Sequence, residues 1–303
     1  MGHWFNSFFP YLADGMSEEE RSWLQRLNRM GIAYFRPLVM AVLKNERDQS
    51  ERIGIFKQIE RFVFLTFRMN KMQPTFRRTA YFNVSRSVDR GEIGLPDVAR
   101  RLTGDLSYTF NEDGSFRTND FYNRLDKAFR SGGGYYDWGS LRYFLYEYEL
   151  SLLASSRQRK VDWNDLLKVG RDRISIEHIY PQTETKEWAT AFGAIEEEGK
   201  KRYNGSLGNM LLLSASINSS LQNDAFPDKK WAKYDGQESK LRNGYSDGSH
   251  SEIEVSRLDE WGPDQIRERG LRLLRFMEDR WDFRIRDEER EELLFLKLDQ
   301  GAP

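Results

Sequence analysis

The sequence contains no cysteine, only three histidines and eight prolines among 303 residues, and almost no net charge. The lack of cysteine excludes disulfide bonds and any zinc centre built on thiolates. No apolar run approaches the roughly 20 residues needed to cross a bilayer, so no membrane partner is expected. The N-terminus, Met1-Gly2-His3-Trp4-Phe5, lacks the basic segment and apolar core of a secretory signal, and a cytoplasmic location is the expectation. With 47 Lys and Arg against 48 Asp and Glu, bulk charge gives no pull toward nucleic acid. Any such attraction must come from local patches balanced by acidic faces.

What is present is a helical pattern over the first half. Ser17-Glu18-Glu19-Glu20 reads as a capping box opening a helix that carries Trp23, Leu24, Leu27 and Met30 at helical spacing. A second helix follows from about Ile32, kinked or started by Pro37, and a third is striped by Ile53, Phe56, Ile59, Phe62, Val63 and Leu65. Shorter helices are expected over 77–88, 96–102 and 121–129. After the break at Ser131-Gly132-Gly133-Gly134, a long helix is expected to end near Ala154. The recurring aromatics are core packing. The length allows two domains with separate cores, placed at 1–165 (helical) and 166–303.

The second half changes character. Ile174-Ser175-Ile176 is a short β-like run leading into Glu177-His178-Ile179-Tyr180-Pro181, where the proline must end the strand. Leu211-Leu212-Leu213 reads as a second buried strand, and Ser214 to Leu221 as a helix start with serines as caps. A helical insert fills 183–206, a polar loop is expected over 236–248, and a final long helix runs from Pro263 to Trp281 before a solvated, charge-dense end. Strand, loop, strand and helix, with a histidine on the first strand and Asn218 on the helix, is the layout of a one-metal nuclease.

Residues 174–230 resemble the HNH-type (ββα-metal) nuclease region at the C-terminus of GmrSD-type and SspE-type modification-dependent restriction proteins. The likeness rests on Glu177-His178-Ile179-Tyr180-Pro181-Gln182, Gly208-Asn209-Met210-Leu211-Leu212, Asn218, Asn223-Asp224-Ala225-Phe226 and Lys229-Lys230. It extends to Trp261, Ile266, Arg269 and Trp281 in the tail. It implies a mainly α fold with a small α+β part: an N-terminal helical domain followed by an HNH-like core wrapped by helices. It also implies DNA, including modified DNA, as substrate, a role in phage defence, and control by an N-terminal nucleotide-hydrolysing half or a partner protein. That half, with its Asp-Gly-Gln-Gln-Arg type motif, is not visible in this sequence.

Phosphodiester hydrolysis needs an activated water and charge relief on the phosphate and the leaving oxygen. A hard cation, Mg²⁺ or Mn²⁺, takes oxygen ligands, which Glu177 and Asn218 offer. His178 suits the general base, because an imidazole with a pKa near 6.5 is largely neutral at cellular pH. Asn209 is expected by resemblance to hold the backbone or the imidazole in place. Lys229 and Lys230 are expected at DNA phosphates, with Lys233 and with Lys200, Lys201 and Arg202 as further candidates. Neighbouring side chains on a regular strand point to opposite faces, so Glu177 and His178 can share a cation only if the strand ends or bends.

Each residue has an ordinary reading as well. Glu-His at a strand end is commonly an exposed pair, Asn218 a helix-start residue, Asn209 a turn residue and a lysine run a solvated face. It is the order and spacing together that point to an HNH-family endonuclease or nickase. Two alternatives stay open: a DNA- or protein-binding module with a degenerate core, and a metal-dependent RNase toxin. A second basic concentration, Arg77-Arg78, Arg86, Arg90 and Arg100-Arg101, either guides DNA or pairs with the abundant acids, and the sequence does not choose.

Overall fold

The computed structural model describes residues 2–70, 72–156, 163, 175–213, 221, 223–236 and 239–297. These residues form helices joined by short connections, with two small antiparallel sheets, and they divide into two compact units, 1–121 and 122–303. None of the described helices is long and apolar enough to cross a membrane.

The N-terminal unit holds helices α1 (Gly2–Phe8), α2 (Glu18–Met30), α3 (Arg36–Asn45), α4 (Gln49–Val63), α5 (Arg78–Asp89) and α6 (Leu95–Leu106). Ser17 caps α2 through its hydroxyl, which accepts from Glu20 N at 3.2 Å. The other half of the expected capping box does not form. Glu20 turns inward and pairs with Arg52 on α4 (Nη2 to Oε2, 2.9 Å), because a fully buried carboxylate needs a cationic partner more than the exposed Ser17 N–H needs an acceptor. Gln49 supplies that acceptor instead. Pro37 lies in the first turn of α3, where its missing N–H costs nothing. Phe62 meets Phe35 and Tyr81 edge to face in the core, and Phe35 and Tyr81 pack tilted against each other.

The C-terminal unit begins inside α7 (Asn119–Arg130), which lies well ahead of the 165/166 boundary expected from the sequence; that boundary itself lies outside the described residues. Helical periodicity grouped α7 and α8 (Leu141–Ser156) with the helices before them, but their side chains reach forward along the chain. Phe129 stacks on Phe295 at 4.4 Å, the Tyr135 hydroxyl donates to Leu293 O at 2.9 Å, and Arg280 pairs with Glu147 at 3.0 Å. Such long-range packing is not encoded in local spacing.

Strand β1 (Ser175–His178) pairs antiparallel with β2 (Met210–Leu213), matching Ser175 to Leu213 and His178 to Met210. Between them lie α9 (Ala189–Phe192) and α10 (Glu197–Gly205). After β2 come α11 (Phe226–Lys230), strands β3 (Lys233–Tyr234) and β4 (Lys240–Arg242), α12 (His250–Ser256), α13 (Pro263–Trp281) and α14 (Asp287–Glu292). The polar stretch expected to be plain loop therefore holds a small hairpin strand, β4, whose pairing with β3 offsets weak local propensity. The helix expected from Ser214, which would complete a ββα core, lies outside the described residues. Tyr180, stacked on Phe192 at 3.8 Å, joins Trp188, Leu211, Leu213, Phe226 and Trp261 in the core beneath β1 and β2.

Candidate active site

Pro181 has no N–H to donate, so β1 must stop, and the peptide of Tyr180 would be left without a partner in a buried place. Asn209 supplies that partner. Its own carbonyl accepts from Ile179 N at 3.1 Å, and its side-chain amide then behaves as one more rung of the ladder. Oδ1 accepts from Tyr180 N at 2.7 Å and Nδ2 donates to Tyr180 O at 2.9 Å. Oδ1 also accepts from Trp261 Nε1 at 3.2 Å, and Nδ2 donates to Asn204 O at 3.1 Å. Asn209 is fully buried and all its hydrogen-bonding capacity goes to these groups. Its side chain thus holds the backbone just beyond His178, and no hydrogen bond among the described residues links it to the imidazole.

The same turn receives α13. Arg269, fully buried, donates from Nη1 to Gly208 O and to Met210 O, each at 2.7 Å. Gly208 lies so close to α13 that a Cβ there would overlap the carbonyl oxygen of Ile266. Gly208→Ala is therefore expected to cost about 2 kcal/mol by overpacking, read as a lower midpoint in urea unfolding; an unchanged midpoint would show that α13 moves away freely. Three of the four tail residues noted in the sequence, Trp261, Ile266 and Arg269, thus meet the Gly208-Asn209-Met210 turn directly.

At the end of β1, Glu177 and His178 are both half-buried and lie on a strand paired regularly through His178. Glu177 Oε1 accepts from Lys229 Nζ at 2.8 Å, and the same ammonium donates to Ile179 O at 3.1 Å. Burial opposes the charged form of both partners, raising the Glu177 pKa and lowering that of Lys229, while each partner's charge works the other way. His178 stacks on Tyr136, ring centroids 5.2 Å apart. Burial, and then the Lys229 charge, lower the imidazole to about 4, so it is neutral at physiological pH and able to accept a proton.

Lys229 is wholly buried and Lys230 nearly so, the latter donating to Leu258 O at 2.6 Å. This corrects the expectation that the pair meets DNA phosphates. Short α11 turns both ammonium groups inward, where a carboxylate and two carbonyls satisfy them. Lys229→Met would leave Glu177 without its cation. Because that carboxylate is 17% exposed and retains water, the loss is set at about 2 kcal/mol, below that for a fully buried pair. Thermal unfolding should show it, with partial recovery on adding Glu177→Gln; equal stability of single variant and wild type would dismiss the pairing. In the insert, Lys200 pairs with Glu184 and Glu197, and Lys201 with Glu198, as in an ordinary solvated face.

Asn218 lies outside the described residues. Among the described residues, no three His, Asp or Glu side chains converge on one point. Of the proposed ligands, Glu177 alone lies among the described residues: Lys229 occupies its Oε1, and no hydrogen bond among those residues engages Oε2, the oxygen left to meet a hard cation. Reading the sequence missed Tyr136 and the pairing of Lys229 with Glu177. Tyr136 follows a glycine run with no spacing relation to His178, and no local signal marks it.

No curated protein and no solved structure matches the chain. A family model described as GmrSD restriction endonucleases, C-terminal domain, matches residues 120–276, a span that includes β1, β2, the Asn209 turn, α11 and most of α13. The match starts almost where the second compact unit does, and the chain belongs to the GmrSD restriction endonuclease C-terminal domain family.

Proposed function

We propose that the C-terminal unit is an HNH-type endonuclease or nickase that hydrolyses DNA phosphodiester bonds, in defence against phage or other foreign DNA. His178 is the general base and Glu177, with Asn218, holds a divalent cation, Mg²⁺ or Mn²⁺. The observation that carries this reading is an unprotonated imidazole at a strand end, held against Tyr136, next in sequence to a carboxylate whose Oε2 is engaged by no hydrogen bond among the described residues. When bound, the metal supplies charge relief at the phosphoryl oxygen and the leaving 3′-oxygen.

The chain's own residues do the rest. His178 takes the proton of the attacking water as its oxygen bonds to phosphorus; the P–O3′ bond breaks and the 3′-oxygen regains a proton from solvent. Tyr136 restrains the imidazole plane. Asn209 holds the Tyr180 peptide, and so the course of the chain just beyond His178. Lys229 orients Glu177 from inside the core.

The test is plasmid nicking with Mg²⁺ or Mn²⁺, with and without chelator, on plain and modified DNA, for wild type and His178→Ala. Metal-dependent nicking lost in the variant is the expected result; equal cleavage by the variant rules out the assigned base. One observation favours a second reading, a binding module with a spent core: the Glu177 oxygen engaged by Lys229. Absence of cleavage on any DNA would support that module, and cleavage of a structured RNA alone would support an RNase.

A further inference from the structure

The N-terminal unit folds Arg77 and the Arg100-Arg101 pair, distant in sequence, around one open depression of about 480 Å³. It is lined by Arg77, Asp97, Arg100, Arg101, Gly104 and Asp105. Asp105, nearly buried, takes Arg77 Nε at 3.3 Å on one oxygen and Arg101 Nε at 3.0 Å on the other. Both guanidinium groups are thus held at the Nε edge, and among the described residues no hydrogen bond occupies their terminal amino groups. Arg100 meets Asp97 at 3.0 Å and is 76% exposed. Arg78, the next residue after Arg77, is also exposed.

Arg77 has φ 57° and ψ 9°, a left-handed conformation that glycine adopts freely and arginine only at a cost. Its side chain does not cap α5. A backbone strained to hold an arginine where glycine would suit the fold better is a sign of function at the side chain.

We infer that this depression binds the phosphate backbone of DNA, with Arg77, Arg100 and Arg101 as the contacts. The terminal guanidinium edges of Arg77 and Arg101 form planar donor pairs that match phosphate oxygens, while Arg100, whose Nη1 donates to Asp97, has its Nη2 for such a contact. Three arginines against two carboxylates leave only a small positive excess. Each arginine that meets a phosphate releases condensed counterions from the duplex, a gain that adds to this small excess and that an acidic protein surface does not offer. The site positions DNA without reading its sequence. It rests on the reading of the chain as a DNA-cleaving enzyme.

The experiment uses the full chain in chelator, titrated against a fluorescent DNA duplex of about 30 base pairs, for wild type, Arg77→Gly, Arg100→Ala and the double variant. Expected are binding about tenfold weaker for the double variant near 0.1 M salt, alike for unrelated sequences, and a log–log salt slope shallower by roughly two. Arg77→Gly should melt at the wild-type temperature or above it, since glycine relieves the left-handed strain. Unchanged affinity and slope, no DNA binding by wild type, or a lower melting temperature with unchanged affinity would overturn the site. So would equal displacement of the duplex by polyglutamate. Arginine-dependent binding without cleavage by wild type would keep the site and sink the catalytic reading; cleavage lost in His178→Ala with affinity indifferent to the arginines would do the reverse.

Discussion

His178→Ala is expected to lower the rate of metal-dependent DNA cleavage by about a hundred- to ten-thousandfold, the range contributed by a positioned general base. The imidazole lies at the end of β1 and is neutral at physiological pH, because burial and the Lys229 charge hold its pKa at about 4. A base that low is weaker than a free imidazole but fully in its accepting form. Removing it should cost rate and little stability: it is half-buried, it stacks on Tyr136, which is itself 44% exposed, and β1 is held by backbone pairing and the core beneath. Single-turnover nicking rates, with the melting temperature as control, separate the two effects. A variant that melts with wild type and cleaves at its rate would remove His178 from the mechanism.

Asn209→Ala is expected to have the opposite signature, a large loss of stability. Four hydrogen bonds end on this amide, two of them at the peptide of Tyr180. At about 1 kcal/mol net each the sum is on the order of 4 kcal/mol, and the stranded Tyr180 N–H in a buried turn adds to the loss. Asn209→Asp keeps the acceptor for Tyr180 N and Trp261 Nε1 but cannot donate to Tyr180 O or Asn204 O, so it should be destabilised too, by burying a charge beside two carbonyls. Urea unfolding of the full chain measures both. An Asn209→Ala protein as stable as wild type, with cleavage abolished, would mean that the amide acts on the chemistry and not on the turn.

Much of this was legible along the chain. The stripe of Leu24, Leu27 and Met30 marks the buried face of α2, and Pro263 and Trp281 bound α13 as the spacing suggested. Pro181 marks the end of β1 because a residue without an N–H cannot continue a ladder. The Gly-Asn pair and the distant Trp261 and Arg269 could be recognised as belonging together only by resemblance. Their physical connection, a buried amide and a buried guanidinium converging on one turn, is a tertiary fact.

Lys229 and Lys230 show where sequence reading fails. A lysine pair in a polar segment is ordinarily solvated, and nothing local says that a five-residue helix will turn both into the core. Tyr136 is likewise invisible until the turn ahead of α8 meets β1, since its partner lies far along the chain. The arginines at 77 and 100–101 were an undecided concentration of charge until folding set Arg77 and Arg101 on one carboxylate, Asp105, and Arg100 on another, Asp97.

By itself, then, the order of residues determined the helical character, the strand ends and the types of chemical group available, because these depend on neighbours a few bonds apart. Folding alone decided which of those groups meet, which charges are buried with partners and which face solvent, because those outcomes depend on desolvation and on contacts between segments separated by scores of residues.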